Sequence, residues 1–337
     1  MIKRKSIYMV ILMMSIFAMM FYGSMMFATL QSSNIVHADD ASHTHEGYTA
    51  IRPYQYYYGI MGSKKGDENY SSGVTEAGNY YIDTPSGNYE GYYALYAGWT
   101  VPTGTTKICL NGQKIALCKP IVIGSGATLI IEEDSGNGGY IDCVKSHDKK
   151  PNYESRQSGS SVIVSPDDYY YSEGYSIIIK NGGKLIMNGG SIVTNNAIYS
   201  IFGNENDVNG VKVESGGTFE MNAGTIKEHS SYEVSSAGNF IMNGGIISGG
   251  KDYGVQIESG SCTIGGGTIS GNRKGLFNKG TLTLNGGTIT GNSEFGVDTS
   301  SGTCSVFGKV VVYENAYNNQ GIPCNLVIKE DNKLKVL

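Results

Sequence analysis

Several features that define common protein classes are scarce in this chain. Only 7 of its 337 residues are proline although 48 are glycine, a balance that excludes collagen-like and simple disordered sequence. The formal charge of −5 leaves no basic footprint of the kind that nucleic-acid binding requires. After Leu30 no apolar run is long enough to span a bilayer. The six cysteines have no spacing typical of a zinc knuckle.

A repeated segment organises the second half of the chain. Its clearest copy spans residues 280–292, and successive copies begin with glycine at steps of 34, 21, 22, 20 and 22 residues. A fixed period in this range is typical of a solenoid, in which no coil can bury its own core. The long first step indicates one coil plus an insertion near residues 199–209. The copies begin at Gly183, Gly217, Gly238, Gly260, Gly280 and Gly302.

Within each copy, apolar and polar residues alternate with the period of a β-strand. Three short strands and three turns in a coil of about 21 residues predict an all-β parallel β-helix. Stacked coils would place like residues on like residues. The expected inward columns are Ile192, Ile226, Ile247, Ile269 and Ile289, and Val211, Val234, Val255, Leu276 and Val297. An asparagine ladder is expected at Asn188, Asn222, Asn243 and Asn285, broken at Gly265 and Phe307.

Coils of the type Gly286-Gly287-Thr288-Ile289-Thr290-Gly291-Asn292, and the segment Thr105–Gly112, resemble a known group. They are similar to the right-handed parallel β-helices of the pectin lyase-like superfamily, and more narrowly to repeat-containing surface proteins of Gram-positive bacteria. The resemblance covers residues 80–337 and rests on core and turn residues. It therefore implies the fold rather than the function. Right-handed winding follows from the resemblance and from the general rule for parallel crossovers.

The order of segments predicts an exported protein. Residues 1–38 have a basic start, an apolar stretch and a small-residue end at Val36-His37-Ala38, which is typical of a signal peptide; an uncleaved anchor is the alternative. Residues 39–79 are rich in tyrosine and would cap the first coil. Residues 80–337 form the solenoid, with insertions near 143–176 and 199–209. We expect a secreted or cell-envelope protein that touches the membrane only through its first segment.

Cysteines that align with a known position of the repeat are expected to carry free thiols. Cys262 and Cys304 align with the inward residue Leu282 two coils apart, which is roughly 10 Å at the spacing of stacked strands. A disulfide tolerates Cα atoms only about 7 Å apart. Both are therefore predicted to be core residues. The pairing of the other four stays open: Cys109, Cys118, Cys143 and Cys324.

Catalytic residues are not predicted, and neither is a cofactor. The superfamily that the coils resemble contains lyases with an acidic calcium cluster and a basic residue, and hydrolases with paired carboxylates. Neither pattern recurs at matching coil positions here. The adjacent Asp167 and Asp168 would point in opposite directions on an extended chain. His43 and His45 are weak metal candidates that lack a third and a fourth fixed ligand.

Ligand binding is the leading functional expectation. Loops that project from a solenoid usually carry its specificity, although a surface loop without a ligand is equally consistent with the sequence. Trp99 would be a core anchor or a sugar platform. We expect non-catalytic, adhesin-like binding of carbohydrate or a host surface. The alternatives are a polysaccharide lyase or glycosidase with its site on the insertions, and a structural wall or biofilm protein. The candidate ligand-binding residues are Asp167, Asp168, Tyr169, Tyr170, Tyr171 and Trp99.

Overall fold

The structure is a computed structural model that describes ten stretches of the chain. They are residues 45–51, 73–83, 93–95, 98–117, 119–133, 138–143, 174–194, 208–317, 322–327 and 335–336. The chain divides into two units, Met1–Thr44 and His45–Leu337. The first unit, which includes the predicted signal peptide, lies outside the described residues. Within the described stretches no helix has the length and apolar character needed to cross a membrane.

Regular structure in the described stretches consists of short strands. In chain order they are β1 (Thr49–Ile51), β2 (Asn79–Ile82), β3 (Tyr93–Leu95), β4 (Trp99–Val101), β5 (Gly104–Cys109), β6 (Lys114–Leu117), β7 (Ile121–Ile123), β8 (Ala127–Glu132), β9 (Tyr140–Cys143), β10 (Tyr175–Ile179), β11 (Lys184–Met187), β12 (Ser191–Val193), β13 (Asn209–Val213), β14 (Thr218–Met221), β15 (Thr225–Lys227), β16 (Tyr232–Ser236), β17 (Asn239–Met242), β18 (Ile246–Ser248), β19 (Tyr253–Ile257), β20 (Ser261–Ile264), β21 (Thr268–Ser270), β22 (Lys274–Asn278), β23 (Thr281–Leu284), β24 (Thr288–Thr290), β25 (Phe295–Asp298), β26 (Thr303–Val306), β27 (Val311–Tyr313), β28 (Ala316–Tyr317), β29 (Ile322–Pro323), β30 (Leu326–Val327) and β31 (Lys335–Val336).

All strands except the short antiparallel pair β28–β29 form three long parallel sheets, and each complete coil gives one strand to each sheet. Sheet A has the order β1-β2-β5-β8-β11-β14-β17-β20-β23-β26-β31. Sheet B has the order β3-β6-β9-β12-β15-β18-β21-β24-β27, and sheet C has the order β30-β25-β22-β19-β16-β13-β10-β7-β4. We call the corner between sheets A and B the first turn and the corner between sheets B and C the second turn. The predicted parallel β-helix with three strands per coil is confirmed.

The register of the sheets matches the alignment of the repeats. The column from Ile192 to Ile289 pairs residue by residue in sheet B, and the column from Val211 to Val297 does so in sheet C. Both columns are buried in one continuous core. Because every strand repeats the same alternation, a coil can bury its apolar face only against its neighbours.

Two further sequence predictions are confirmed inside the solenoid. Cys262 and Cys304 each pair with Leu282, and both are buried free thiols. Cys324 is a free thiol as well. Burial raises the pKa of the Cys304 thiol to about 11 and raises that of Cys262 still further. The thiols of Cys262 and Cys304 are therefore held in the neutral form.

The first asparagine ladder is also confirmed where the sequence predicts it to be unbroken. The side-chain amide of Asn222 donates to Asn188 Oδ1 at 2.9 Å, and that of Asn243 donates to Asn222 Oδ1 at 2.8 Å. Gly265 occupies the same position in the next coil and has no amide to continue the ladder. The ladder lies at the exposed first turn.

Both predicted insertions depart from the second turn. Strand β9 ends at Cys143 and β10 begins at Tyr175, whereas β12 ends at Val193 and β13 begins at Asn209. The flanking strands keep the register of the coils on either side. Both insertions therefore fall between the end of a sheet B strand and the start of a sheet C strand. Most of their residues, including 144–173 and 195–207, lie outside the described stretches.

The tyrosine-rich lead-in contributes a strand to the solenoid. Strand β1 pairs in parallel with β2, with Thr49 opposite Tyr80. Sheet A therefore starts before residue 80, inside the segment predicted to be a cap. Trp99 anchors this end of the core, because it is only 3 % exposed and its indole N–H donates to the Val74 carbonyl at 3.0 Å. Gly73 has no side chain where the indole ring packs against it.

Candidate functional site

Sheet C carries a row of aromatic side chains, which stand at the first residue of their strands except for Phe277, the partner of Gln256. Tyr232 and Tyr253 are paired residues of β16 and β19, and their rings stack with centroids 5.5 Å apart and planes 8° apart. Phe277 lies 5.8 Å from Tyr253, and Phe295 lies 6.5 Å from Phe277. All members except Phe295 are partly exposed. We call this set the aromatic row: Tyr175, Tyr232, Tyr253, Phe277 and Phe295.

Strand alternation explains how part of this face is covered. Val234 and Val255 fill the core, so the residues that follow them, Ser235 and Gln256, point outward. These two outward residues are nevertheless only 8 % and 5 % exposed. Tyr175 forms a side-chain hydrogen bond with Ser235, which means that its ring lies across the outer face of the sheet.

Fixed charges line the aromatic row. The Lys274 ammonium lies 4.4 Å from the ring centroid of Tyr253 and donates to the Tyr253 hydroxyl at 3.1 Å. It also forms an ion pair with Asp252 at 3.1 Å. Arg273 bridges Asp252 at 3.1 Å and Glu294 at 2.9 Å. Burial acts to lower the pKa of Lys274, but its hydrogen bonds to Tyr253 and Asp252 outweigh burial and raise it. The ammonium therefore stays charged beside the row.

Two tyrosine hydroxyls of the row, those of Tyr175 and Tyr232, have a raised pKa and stay protonated at neutral pH. Burial is the largest cause of the raised pKa of Tyr175 and of Tyr232. Nearby groups that carry or develop negative charge, including Tyr253 and the Asp252 carboxylate, raise the pKa of Tyr232 further. A neutral phenol can both donate and accept a hydrogen bond. The row therefore combines apolar ring edges with hydroxyl groups and fixed ammonium and carboxylate groups.

A cluster of three polar side chains is buried at the second turn, two of them close to Tyr232 in the sequence. Nδ1 of His229 forms a short hydrogen bond with Oε2 of Glu233, and Oε1 of Glu233 accepts the His229 main-chain N–H at 3.0 Å. The Ser176 hydroxyl lies 3.5 Å from His229 Nε2 and donates to the Asn209 carbonyl at 3.0 Å. Ser176, His229 and Glu233 all have 0 % exposure.

The neighbouring coils show why histidine and glutamate occur together here. At the position of His229 the later coils have Asn272, Asn292 and Asn315, which form a second, buried ladder that ends at Asn325. Asn292 Oδ1, for example, accepts from the main-chain N–H of Asn272 at 3.0 Å and from its amide at 3.1 Å. The next amides donate along the column at 2.8 and 3.0 Å.

Glycine and long polar side chains alternate between two facing columns of the second turn. A Cβ atom at Gly254 would lie 2.6 Å from the Asn272 amide, and one at Gly275 would lie 2.9 Å from the Asn292 amide. At Glu233 the two columns exchange roles: the long side chain stands in the column of Gly254, and the glycine, Gly250, stands in the column of Asn272. A Cβ at Gly250 would lie 3.2 Å from Glu233 Cγ, so this glycine leaves room for the glutamate. Glu233 therefore supplies the oxygen that asparagine supplies in later coils.

Chemically, Ser176, His229 and Glu233 are the residue types of an acyl-transfer triad. Full burial leaves the Ser176 hydroxyl without contact to solvent, and that hydroxyl is already engaged with the Asn209 carbonyl. The arrangement satisfies buried main-chain and side-chain groups, as the asparagine ladder does in later coils. We therefore assign this group to the stability of the turn.

The predicted site residues fall in different places. Trp99 is buried in the core, as described above, and its ring presents no face to solvent. The imidazole of His45 stacks on the ring of Tyr81, with centroids 4.1 Å apart. Within the described stretches no group of three or more histidine, cysteine or carboxylate side chains is placed to hold a metal. The remaining candidates lie outside the described residues: His43, Asp167, Asp168, Tyr169, Tyr170 and Tyr171.

Comparison with known proteins returns no relative. No family model matches the chain, and neither a curated protein nor a solved structure matches it. The resemblance to the pectin lyase-like superfamily and to Gram-positive surface proteins therefore stays a prediction, although the parallel β-helix itself is established.

Sequence reasoning missed the aromatic row and the second ladder, although both left a periodic signal. Tyr232 and Tyr253 are 21 residues apart, and Asn272 and Asn292 are 20 residues apart; these are one-coil steps. The pairing of His229 with Glu233 left no such signal because it occurs in one coil. In the sequence it is visible only in that His229 and Gly250 stand at the repeat position where later coils have asparagine.

Proposed function

We propose that this protein is an exported β-helix that binds carbohydrate, on the cell surface or in the secreted state, without catalysis. The aromatic row on sheet C is the binding surface in this proposal. The observation that supports it most directly is the partly exposed stack of Tyr232 and Tyr253, flanked by Lys274 and Asp252. Tyrosine suits sugars because it combines an apolar ring with a hydroxyl that can hydrogen-bond.

The geometry of the row defines what a glycan would meet. One face of Tyr253 is stacked against Tyr232, and Lys274 also lies over the ring. Ring edges and hydroxyl groups, rather than free ring faces, are therefore offered to the ligand. Sugar hydroxyls would bond to the tyrosine hydroxyls and to the neighbouring charged groups, and apolar CH groups would pack on the ring edges. Such contacts favour a ligand that lies along the outer face of the solenoid.

A structural wall or biofilm protein is the second candidate function. The observation that favours it is the same stacking, because rings that pack between coils strengthen a solenoid without any ligand. The lyase or glycosidase alternative places its site on insertions that lie outside the described residues. We infer right-handed winding and a Gram-positive cell envelope from the resemblance of the coils, and export from residues 1–38.

A glycan-binding screen tests the proposal. The full chain is immobilised and exposed to bacterial wall polysaccharides, pectins and mucin glycans, with and without calcium. We expect the parent protein to show saturable binding. A Tyr232→Ala/Tyr253→Ala variant should bind with at least tenfold lower affinity, whereas a Thr263→Ala/Thr283→Ala control on sheet A should keep the affinity of the parent. Equal binding by both variants would overturn the assignment to sheet C.

The same mixtures distinguish the remaining functions. Mass spectrometry of the glycans after incubation detects new chain ends, which would support the lyase or glycosidase alternative. Absence of binding and of turnover, with the fold verified by circular dichroism, would favour the structural protein.

A further inference from the structure

The first turn has the same main-chain geometry in successive coils. The N–H groups of Asn285 and Gly286 both donate to the Ile264 carbonyl, at 2.8 and 3.2 Å. Two coils earlier, Asn243 and Gly244 donate to the Met221 carbonyl at 2.8 and 3.3 Å. Asn243 and Asn285 are both exposed, and both are followed by two glycines. They therefore differ in their side-chain surroundings rather than in their backbone.

Their side-chain amides have different partners. The Asn243 amide donates to Asn222 Oδ1 at 2.8 Å. The corresponding neighbours of Asn285 are Gly265 on one side and Phe307 on the other, and neither carries an amide. Among the described residues the Asn285 side chain has no hydrogen-bond partner. One asparagine is therefore held by a ladder, and the other is free to change rotamer in solvent.

We propose that Asn285 is a site of spontaneous deamidation and isomerisation. The main-chain nitrogen of Gly286 attacks Asn285 Cγ and loses its proton, while the bond from Cγ to the side-chain nitrogen breaks and ammonia leaves. The product is a five-membered cyclic imide. Water then opens either carbonyl of the ring and gives an aspartate or an isoaspartyl linkage. Water is consumed and ammonia is released, so no further reactant is needed.

Ring closure requires the Gly286 N–H to leave the Ile264 carbonyl, just as it requires the Gly244 N–H to leave the Met221 carbonyl, so this cost is common to the two sites. Glycine adds no Cβ that would crowd the nitrogen that closes the ring. At Asn243 the same step must first break the ladder hydrogen bond. The net contribution of one such bond corresponds to a rate difference of roughly fivefold. Each event at Asn285 adds a negative charge to a chain whose formal charge is already −5. The isoaspartyl form also lengthens the main chain at a turn that sets the register of β24.

Peptide mapping of the intact protein measures both sites in one sample. The full chain is incubated at mildly alkaline pH, digested at intervals and analysed by mass spectrometry, with a separate assay for isoaspartate. We expect the Asn285 peptide to convert about five times faster than the Asn243 peptide. Equal rates, or faster conversion of Asn243, would overturn the proposal.

Two variants exchange the surroundings of the two asparagines. Gly265→Asn would give Asn285 a ladder partner, and the site accepts it because a Cβ at Gly265 lies 3.4 Å from Asn243 Oδ1, an ordinary contact distance. Asn222→Ala removes the partner of Asn243. We expect slower conversion of Asn285 in the first variant and faster conversion of Asn243 in the second. Unchanged rates at the two sites would show that the ladder does not control the reaction, and the proposal would fail.

Discussion

Sheet A with the first turn and sheet C with the second turn are two sides of the same coils, yet they are built differently. The outer face of sheet A carries small polar residues such as Thr283, and the ladder beside it is open to solvent, with Asn243 exposed and Asn222 half-buried. Sheet C carries the aromatic row, and the ladder beside it is buried. The same amide-to-amide bond should therefore contribute more at the second turn, because water cannot replace it there.

Removal of Glu233 should produce the largest effect. In a Glu233→Ala variant the His229 ring and the His229 main-chain N–H lose their buried acceptors. We expect a loss of about 4 kcal/mol in the free energy of unfolding, measured by urea denaturation. Glu258→Ala is the matched control, because this carboxylate of the next coil is exposed and its loss should cost less than about 1 kcal/mol. Equal losses would contradict the assignment of Glu233 to the stability of the turn.

The two ladders can be compared by the same substitution. Asn292→Ala removes the acceptor for the buried N–H and amide of Asn272, so we expect a cost of about 2–3 kcal/mol. Asn243→Ala at the exposed ladder should cost about 0.5–1 kcal/mol, because water can take its place. Thermal and urea unfolding of both variants give the comparison. A similar cost at the two positions would show that burial does not distinguish the ladders.

The row itself should contribute modestly to stability. Tyr253→Ala removes one stacked ring and the contact with Lys274, and we expect a loss of about 1–2 kcal/mol. Thr283→Ala at the outer face of sheet A should change stability by less than about 0.5 kcal/mol. If the tyrosine variant were as stable as the threonine variant, the stacking would have no structural role and the wall-protein alternative would lose its support.

The smallest expected effect is on the stability of the fold at alkaline pH, through the hydroxyl of Tyr232 on sheet C. Because the pKa of Tyr232 is raised in the fold, the folded state holds this proton more tightly than the unfolded state. Its contribution is fully present below the ordinary tyrosine pKa, about 10, and is lost as the pH rises through the higher folded-state pKa. We expect Tyr232→Phe to show a smaller loss of stability between neutral and strongly alkaline pH than the parent protein. An unchanged slope would argue against burial of this hydroxyl.

Periodicity made the fold readable from the sequence, because the core columns repeat once per coil. The alignment of opening glycines placed Leu282 between Cys262 and Cys304, and the register of sheet A agrees. The first ladder and its break at Gly265 were readable for the same reason. These features depend only on residues that recur at a fixed spacing, so no knowledge of side-chain direction at the corners was required.

The candidate site was harder to predict because it depends on local exceptions. Tyr232 and Tyr253 keep the parity of the core residue Val234, so strand alternation alone would place them inward, whereas both are partly exposed in the structure. Glu233 takes over the hydrogen bonds of the ladder asparagine and packs against Gly250, and this exchange occurs at one place in the second turn. Sequence reasoning directed attention to the insertion and to Trp99 instead. Trp99 is the core anchor that the sequence also predicted, and its indole N–H is satisfied by the Val74 carbonyl.

Hydrogen exchange with and without a bound glycan tests the central claim, that sheet C is the ligand surface, most directly. The full chain is mixed with the polysaccharide that binds best in the screen, and amide exchange is followed by mass spectrometry. The account predicts slower exchange in β16, β19 and β22, with β20, β23 and β26 of sheet A unchanged. Protection confined to sheet A, or to segments remote from the aromatic row, would contradict it.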